Sequence, residues 1–146
     1  VGAADLRAWT VSAGDLRATV ATRSDAAVAG AELVPIAGMN ASYLRLVDAD
    51  GWAAAGALRP ELVAARLGGG AIRVAVPAQS VLVAWRVGDP AIDTVMAVGV
   101  RELFEQQPGP VSPKIHTWDA GRWTPFGEAV PKEPVAAPVP SPPAPR

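Results

Sequence analysis

The sequence predicts an α+β domain: a mostly antiparallel sheet with helices packed on one face, followed by a disordered proline-rich C-terminal tail. Three observations carry that expectation. Half of the 146 residues are hydrophobic, so a sizeable core can form. β-Branched runs come in pairs joined by short turns, which is how hairpins read. Segments of helical period, two of them opened by a capping residue, alternate with those pairs.

The elements follow in order. Ser12-Ala13-Gly14-Asp15 places a hydroxyl at a helix cap and a carboxylate three residues on, a capping-box pattern. The helix should run to about Ser24, with Leu16 and Val20 on one face and Trp9 stapling its start. Asp25 to Gly30 reads as a loop. Glu32 to Ala37 is a short strand whose Pro35 confines it to an edge. Tyr43 to Val47 is a better strand, closed by the turn Asp48-Ala49-Asp50-Gly51.

Trp52 to Leu58 is an alanine-rich helical turn. Pro60 can open a second helix, Glu61 to Leu67, which Gly68-Gly69-Gly70 stops. Ala71 to Val76 and Ser80 to Trp85 form the strongest β signal, a hairpin joined by Pro77-Ala78-Gln79. Asp89-Pro90 starts a helix to about Gln106, with Ile92, Val95, Met96, Gly99, Val100 and Leu103 along one face. Pro108-Gly109-Pro110 ends it. Lys114 to Trp118 and Arg122 to Phe126 flank Asp119-Ala120-Gly121 as a last hairpin.

The domain boundary falls at residues 129 and 130. From Pro131 to Arg146, seven of sixteen residues are proline. Proline lacks the amide donor that helix and ladder need, so residues 130–146 are expected to be a solvated, polyproline-II-like tail.

Composition excludes several chemistries. Lys+Arg 13 against Asp+Glu 14 leaves a net charge of -1, without the basic excess of a nucleic-acid binder. Cysteine is absent, which removes disulfides, thiolate metal sites and thiol nucleophiles. A single histidine rules out multi-histidine metal sites. No apolar run has the length of a membrane span, and the first five residues hold no basic n-region. A cytoplasmic protein with no membrane association and no cofactor is the expectation.

Candidate sites are few. His116, with Asp119 three residues on, has the makings of a general base oriented by a carboxylate, but is better explained as a strand residue on the solvent face. A triad would need Ser80 or Ser112 nearby, and nothing resembles a nucleophile elbow. Asp48-Ala49-Asp50-Gly51 opens like a calcium loop, yet Trp52 and Arg59 stand where later ligands belong. Asp48, Asp50, Asp89 and Asp93 are better explained as turn and cap residues. The triple glycine follows a helix and precedes a strand, the reverse of a phosphate loop. Arg101, Glu102 and Glu105 have the spacing of a solvated helix face. Five tryptophans outnumber one tyrosine and two phenylalanines. Trp118, Arg122, Trp123 and Phe126 cluster at the last turn and are the candidate interaction surface for a protein partner, since tryptophan and arginine are favoured interface anchors.

Several segments form an ordered set. These are Asp50-Gly51-Trp52-Ala53-Ala54, Leu58 with Pro60-Glu61-Leu62, Ile72 to Pro77, Val81 to Ala84, Val111-Ser112-Pro113, and Trp118 to Trp123. With the first helix after Trp9-Thr10, the set resembles the C-terminal part of the YtpQ-like bacterial family, over about residues 5 to 127. Members of that family carry an additional N-terminal region, so the chain is expected to be a fragment or a C-terminal unit standing alone. The resemblance implies the α+β fold and supplies no catalytic or binding residue. The expected function is therefore a non-catalytic protein-binding or structural module. The alternative is a small hydrolase-like enzyme using His116 with a nearby carboxylate.

Overall fold

A computed structural model describes residues 12–128. Its frame is one six-stranded antiparallel sheet in the order β1-β2-β4-β3-β5-β6. The strands are β1 Glu32–Pro35, β2 Ser42–Val47, β3 Ile72–Ala78, β4 Val81–Arg86, β5 Lys114–Asp119 and β6 Arg122–Glu128. The helices are α1 Ala13–Ala29, α2 Pro60–Arg66 and α3 Pro90–Gln106, with a 3-10 helix at Ala53–Leu58. The α+β class and the antiparallel sheet are as the sequence predicts. The Trp9 staple and the proline-rich tail lie outside the described residues.

Helix placement differs from the expectation. The sheet is covered on both faces, not one. On the first face Leu44, Leu46, Ile72, Val74, Leu82 and Ala84 pack with Val28 of α1, Ala53 of the 3-10 helix, and Val63 and Ala64 of α2. On the second face Ala75, Val81, Val83, Trp85 and Ile115 pack with Met96, Ala97 and Val100 of α3. The cause lies in β4. Val81 through Trp85 are all buried, and successive side chains point to opposite faces, so an unbroken apolar strand requires cover on both sides.

The 3-10 helix lies directly on the sheet because Gly56 has no side chain. A Cβ there would come within 3.1 Å of Leu46 and 3.5 Å of both Leu82 and Val28.

α1 continues five residues past the expected stop, through Asp25 to Ala29, and ends at Gly30. Two tertiary contacts hold that last turn. Asp25 faces the Arg59 guanidinium at 3.0 Å, and Val28 enters the first core. The expected apolar face of Leu16 and Val20 is not what anchors the helix. Leu16 is exposed, and burial begins only at Ser24, whose hydroxyl donates to the Val20 carbonyl. The capping box at Ser12 and Asp15 forms as expected.

β3 runs on through Pro77 to Ala78, past its expected end at Val76. The register shifts between Ala75 and Ala78, leaving one extra residue in β3. Pro77 sits in that bulge, where a missing N–H breaks no ladder bond. Its carbonyl accepts instead from the Val111 amide at 2.9 Å. The glycine run ends α2 as expected. The Gly69 amide donates to Ala64 at 2.8 Å and that of Gly68 to Ala65 at 3.1 Å, with φ near +90° at Gly68.

Candidate functional site

The last hairpin is set by its turn. Ala120 has φ 45° and Gly121 φ 82°, the paired positive angles of a two-residue type I′ connection. That turn fixes the register, placing Trp118 opposite Trp123 and His116 opposite Pro125. The period of two then sorts the side chains. Lys114, His116 and Trp118 of β5 share the first face with Trp123 of β6. Ile115 and Thr117 lie on the second, with Arg122 and Phe126.

The four residues expected to form one interaction surface are thus divided. Trp118 and Trp123 stand together on the first face. Trp118 is half-buried against the first core, while Trp123 keeps 41% of its surface in solvent. Arg122 and Phe126 are on the other side. The Phe126 ring lies 3.7 Å from the guanidinium carbon of Arg73, a cation–π contact.

Among the described residues, the helices of the first face pack on β2, β3 and β4 and reach the β5–β6 half only at Ala57. The result is a groove of about 240 Å³ lined by Ala57, Val74, Val76, Ser112, Lys114, His116 and Trp123. His116 therefore lines a concavity. The expected His116–Asp119 arrangement does not form, because residues three apart in a strand point to opposite faces. No carboxylate is among the groove's lining residues. Among the described residues, none hydrogen-bonds the imidazole. Ser112 does share the groove with His116, and its Oγ accepts from the Lys114 amide at 3.1 Å. Ser80 lies away from it, in the β3–β4 turn.

The other candidates have local partners. Asp48 accepts from the Asp50 amide at 2.9 Å, and Asp89 caps α3 by accepting from the Ala91 amide at 2.8 Å. Among the described residues no group of three acidic or histidine side chains converges on a point where a metal could sit. Arg101 pairs with Glu105 at 2.6 Å along α3.

One constellation was not foreseen. Asp93 accepts from the Trp85 indole N–H at 2.7 Å and faces the Arg73 guanidinium at 3.4 Å. Arg73 also donates to Thr117. These groups come from α3, β4, β3 and β5, so no short motif announces them. Both charged side chains are about 15% exposed, and they tie α3 to the second face of the sheet. A larger groove of about 410 Å³, lined in part by Asn40, Ser42, Arg66, Trp85, Arg86 and Asp89, opens at the N-terminal end of α3. One of its two arginines, Arg66, is already committed to the Ala31 carbonyl.

Among the described residues no helix is long and apolar enough to cross a membrane. No family model, curated protein or solved structure matches the chain.

Proposed function

We propose that this domain is a non-catalytic docking module, and that the groove over β3, β5 and β6 receives an extended apolar segment of a protein partner. The observation that carries the reading is Trp123. A tryptophan costs free energy when it stays in water, yet this one stands 41% exposed beside a concavity. Aromatic anchors at the rim of a preformed groove are the usual energetic centre of a protein interface. A cytoplasmic setting and membership of the YtpQ-like family belong to the same reading; the balanced charge and the ordered segments from Trp52 to Phe126 support them.

The test is affinity capture of lysate proteins by the full chain, compared with Trp123→Ala and with Val98→Ala on the outer side of α3. A partner held by the native chain and by Val98→Ala but lost from Trp123→Ala supports the groove. A partner held equally by all three contradicts it.

A second reading is a small hydrolase using His116. Its support is that Ser112 and His116 line one groove. It requires an acid that the lining lacks. His116→Ala abolishing turnover of a generic ester, with Trp123→Ala leaving it intact, would favour it over docking.

A further inference from the structure

The groove of about 410 Å³ opens at one end of the sheet, where α2 and β4 end and α3 begins. It shares no lining residue with the groove over β3, β5 and β6. Its volume is that of a small-molecule site. Two arginines, Arg66 and Arg86, line it together with the apolar side chains of Leu33, Leu67 and Ile92. We propose that this groove binds a small carboxylate, its anionic end on Arg66 and Arg86 and its apolar body against Leu33, Leu67 and Ile92.

The two arginines carry the argument. Arg45, Arg59, Arg73 and Arg101 each face a carboxylate at 3.4 Å or less. Among the described residues Arg66 and Arg86 pair with none, although Asp89 lines the same groove. Arg86 closes β4 and is the first exposed residue after the buried run Val81 to Trp85. Its Nη1 lies 4.0 Å from where a Cβ of Gly68 would stand, which sets the guanidinium against the turn that leaves α2. Arg66 stands two residues before Gly68 and donates one N–H to the Ala31 carbonyl. That bond holds the side chain and leaves its other guanidinium donors for a ligand. Two like charges lining one concavity repel, and an anion between them turns that repulsion into attraction. The planar guanidinium fork matches a carboxylate, and a side chain already held loses less entropy on binding it.

Charge balance selects the ligand. Arg66, Arg86 and Asp89 together leave one positive charge on the groove's lining, which suits a monoanion better than a phosphate dianion. The start of α3 is not the seat. Pro90 has no N–H to offer, and Asp89 already caps the Ala91 amide. Asn40 and Ser42 add neutral donors, and among the described residues their side chains have no partner.

The test is an NMR titration of the isotope-labelled full chain at fixed ionic strength. The probes are acetate, butyrate, hexanoate and benzoate, each beside its primary amide, and inorganic phosphate. The carboxylates should give saturable shifts confined to Asn40, Arg66, Arg86 and Gly88. Affinity should rise from acetate to hexanoate as more apolar surface is buried, and the amides should give no saturable shift. Arg86→Gln removes a charged donor from an exposed position. It should weaken hexanoate binding at least tenfold at an unchanged unfolding midpoint. Arg86→Lys, which keeps the charge and loses the fork, should bind with intermediate affinity, and Arg122→Gln, outside the groove, should bind as the native chain does. No saturable shift from any carboxylate overturns the proposal, as does equal binding by the amides or by Arg86→Gln. Phosphate binding tighter than every carboxylate overturns the ligand class. Shifts spread equally over Arg17 and Arg122 mean an adventitious ion only and overturn the site.

Discussion

The middle of the sheet and its last hairpin are built from the same kinds of residue and solve different problems. In β3 and β4, apolar side chains on both faces are covered, by α1, the 3-10 helix and α2 on one side and by α3 on the other. In β5 only Ile115 is fully buried, and every residue of β6 from Arg122 to Gly127 is exposed. Both regions carry tryptophan. Trp85 is fully buried with its indole N–H satisfied by Asp93, whereas Trp123 faces a groove. The contrast teaches that the central strands hold the fold and that the hairpin is ordered by register and turn geometry, with Trp123 left 41% exposed.

The comparison can be broken most forcefully at its centre. Leu82 is fully buried beneath Gly56. Leu82→Ala should cost about 3–5 kcal/mol, because the packed 3-10 helix limits collapse of the cavity. Denaturant unfolding checks it, and a loss below about 1 kcal/mol would mean that the first core does not hold the sheet. The strut to α3 comes next. Asp93→Ala strands the Trp85 N–H and the Arg73 guanidinium and should cost about 2–3 kcal/mol. Asp93→Asn should recover part of that loss, since its amide oxygen still accepts from the indole.

Effects on the hairpin should be smaller. Ala120 adopts a left-handed φ that glycine reaches freely, so Ala120→Gly should stabilise the chain by about 0.5–1 kcal/mol. An unchanged or lowered unfolding midpoint would remove the type I′ turn as the source of register. Smallest of all is the α1 cap. The Ser12 hydroxyl and backbone amide hold the Asp15 carboxyl below its ordinary value. A carboxylate depressed in the folded state contributes above its unfolded pKa, and the contribution is lost as pH falls through the folded one. Acid should therefore fray the start of α1 below the usual carboxylate range, and Ser12→Ala should do so at neutral pH. Amide exchange of the first turn reads both, with no change in the global midpoint.

What could be read from sequence was what is local. The Asp89-Pro90 helix start, the glycine stop after α2 and the Asp119-Ala120-Gly121 turn depend on a few adjacent residues, and each stands as expected. The length of α1 depends on Asp25 meeting Arg59, thirty-four positions away, which no window of periodicity contains. The two-sided cover was legible in principle, since Val81 to Trp85 is apolar at every position. The candidate surface failed on parity. Arg122 is one residue from Trp123, and strand alternation sends it to the other face. Phe126 is the extra residue of a β6 bulge between Pro125 and Gly127, and its contact with Arg73 puts it on that face as well. An odd count also separates His116 from Asp119. That the first-face helices reach the β5–β6 half only at Ala57 follows from tertiary packing alone.

Trp123→Ala tests the central claim most directly, with quantitative capture of the partner and the unfolding midpoint read on the same protein sample. The account predicts a chain that stays folded, with a stability loss of about 2–3 kcal/mol for the part of the ring packed on the hairpin, together with loss of capture. Intact capture by the folded chain, or loss of capture only through unfolding, would contradict it.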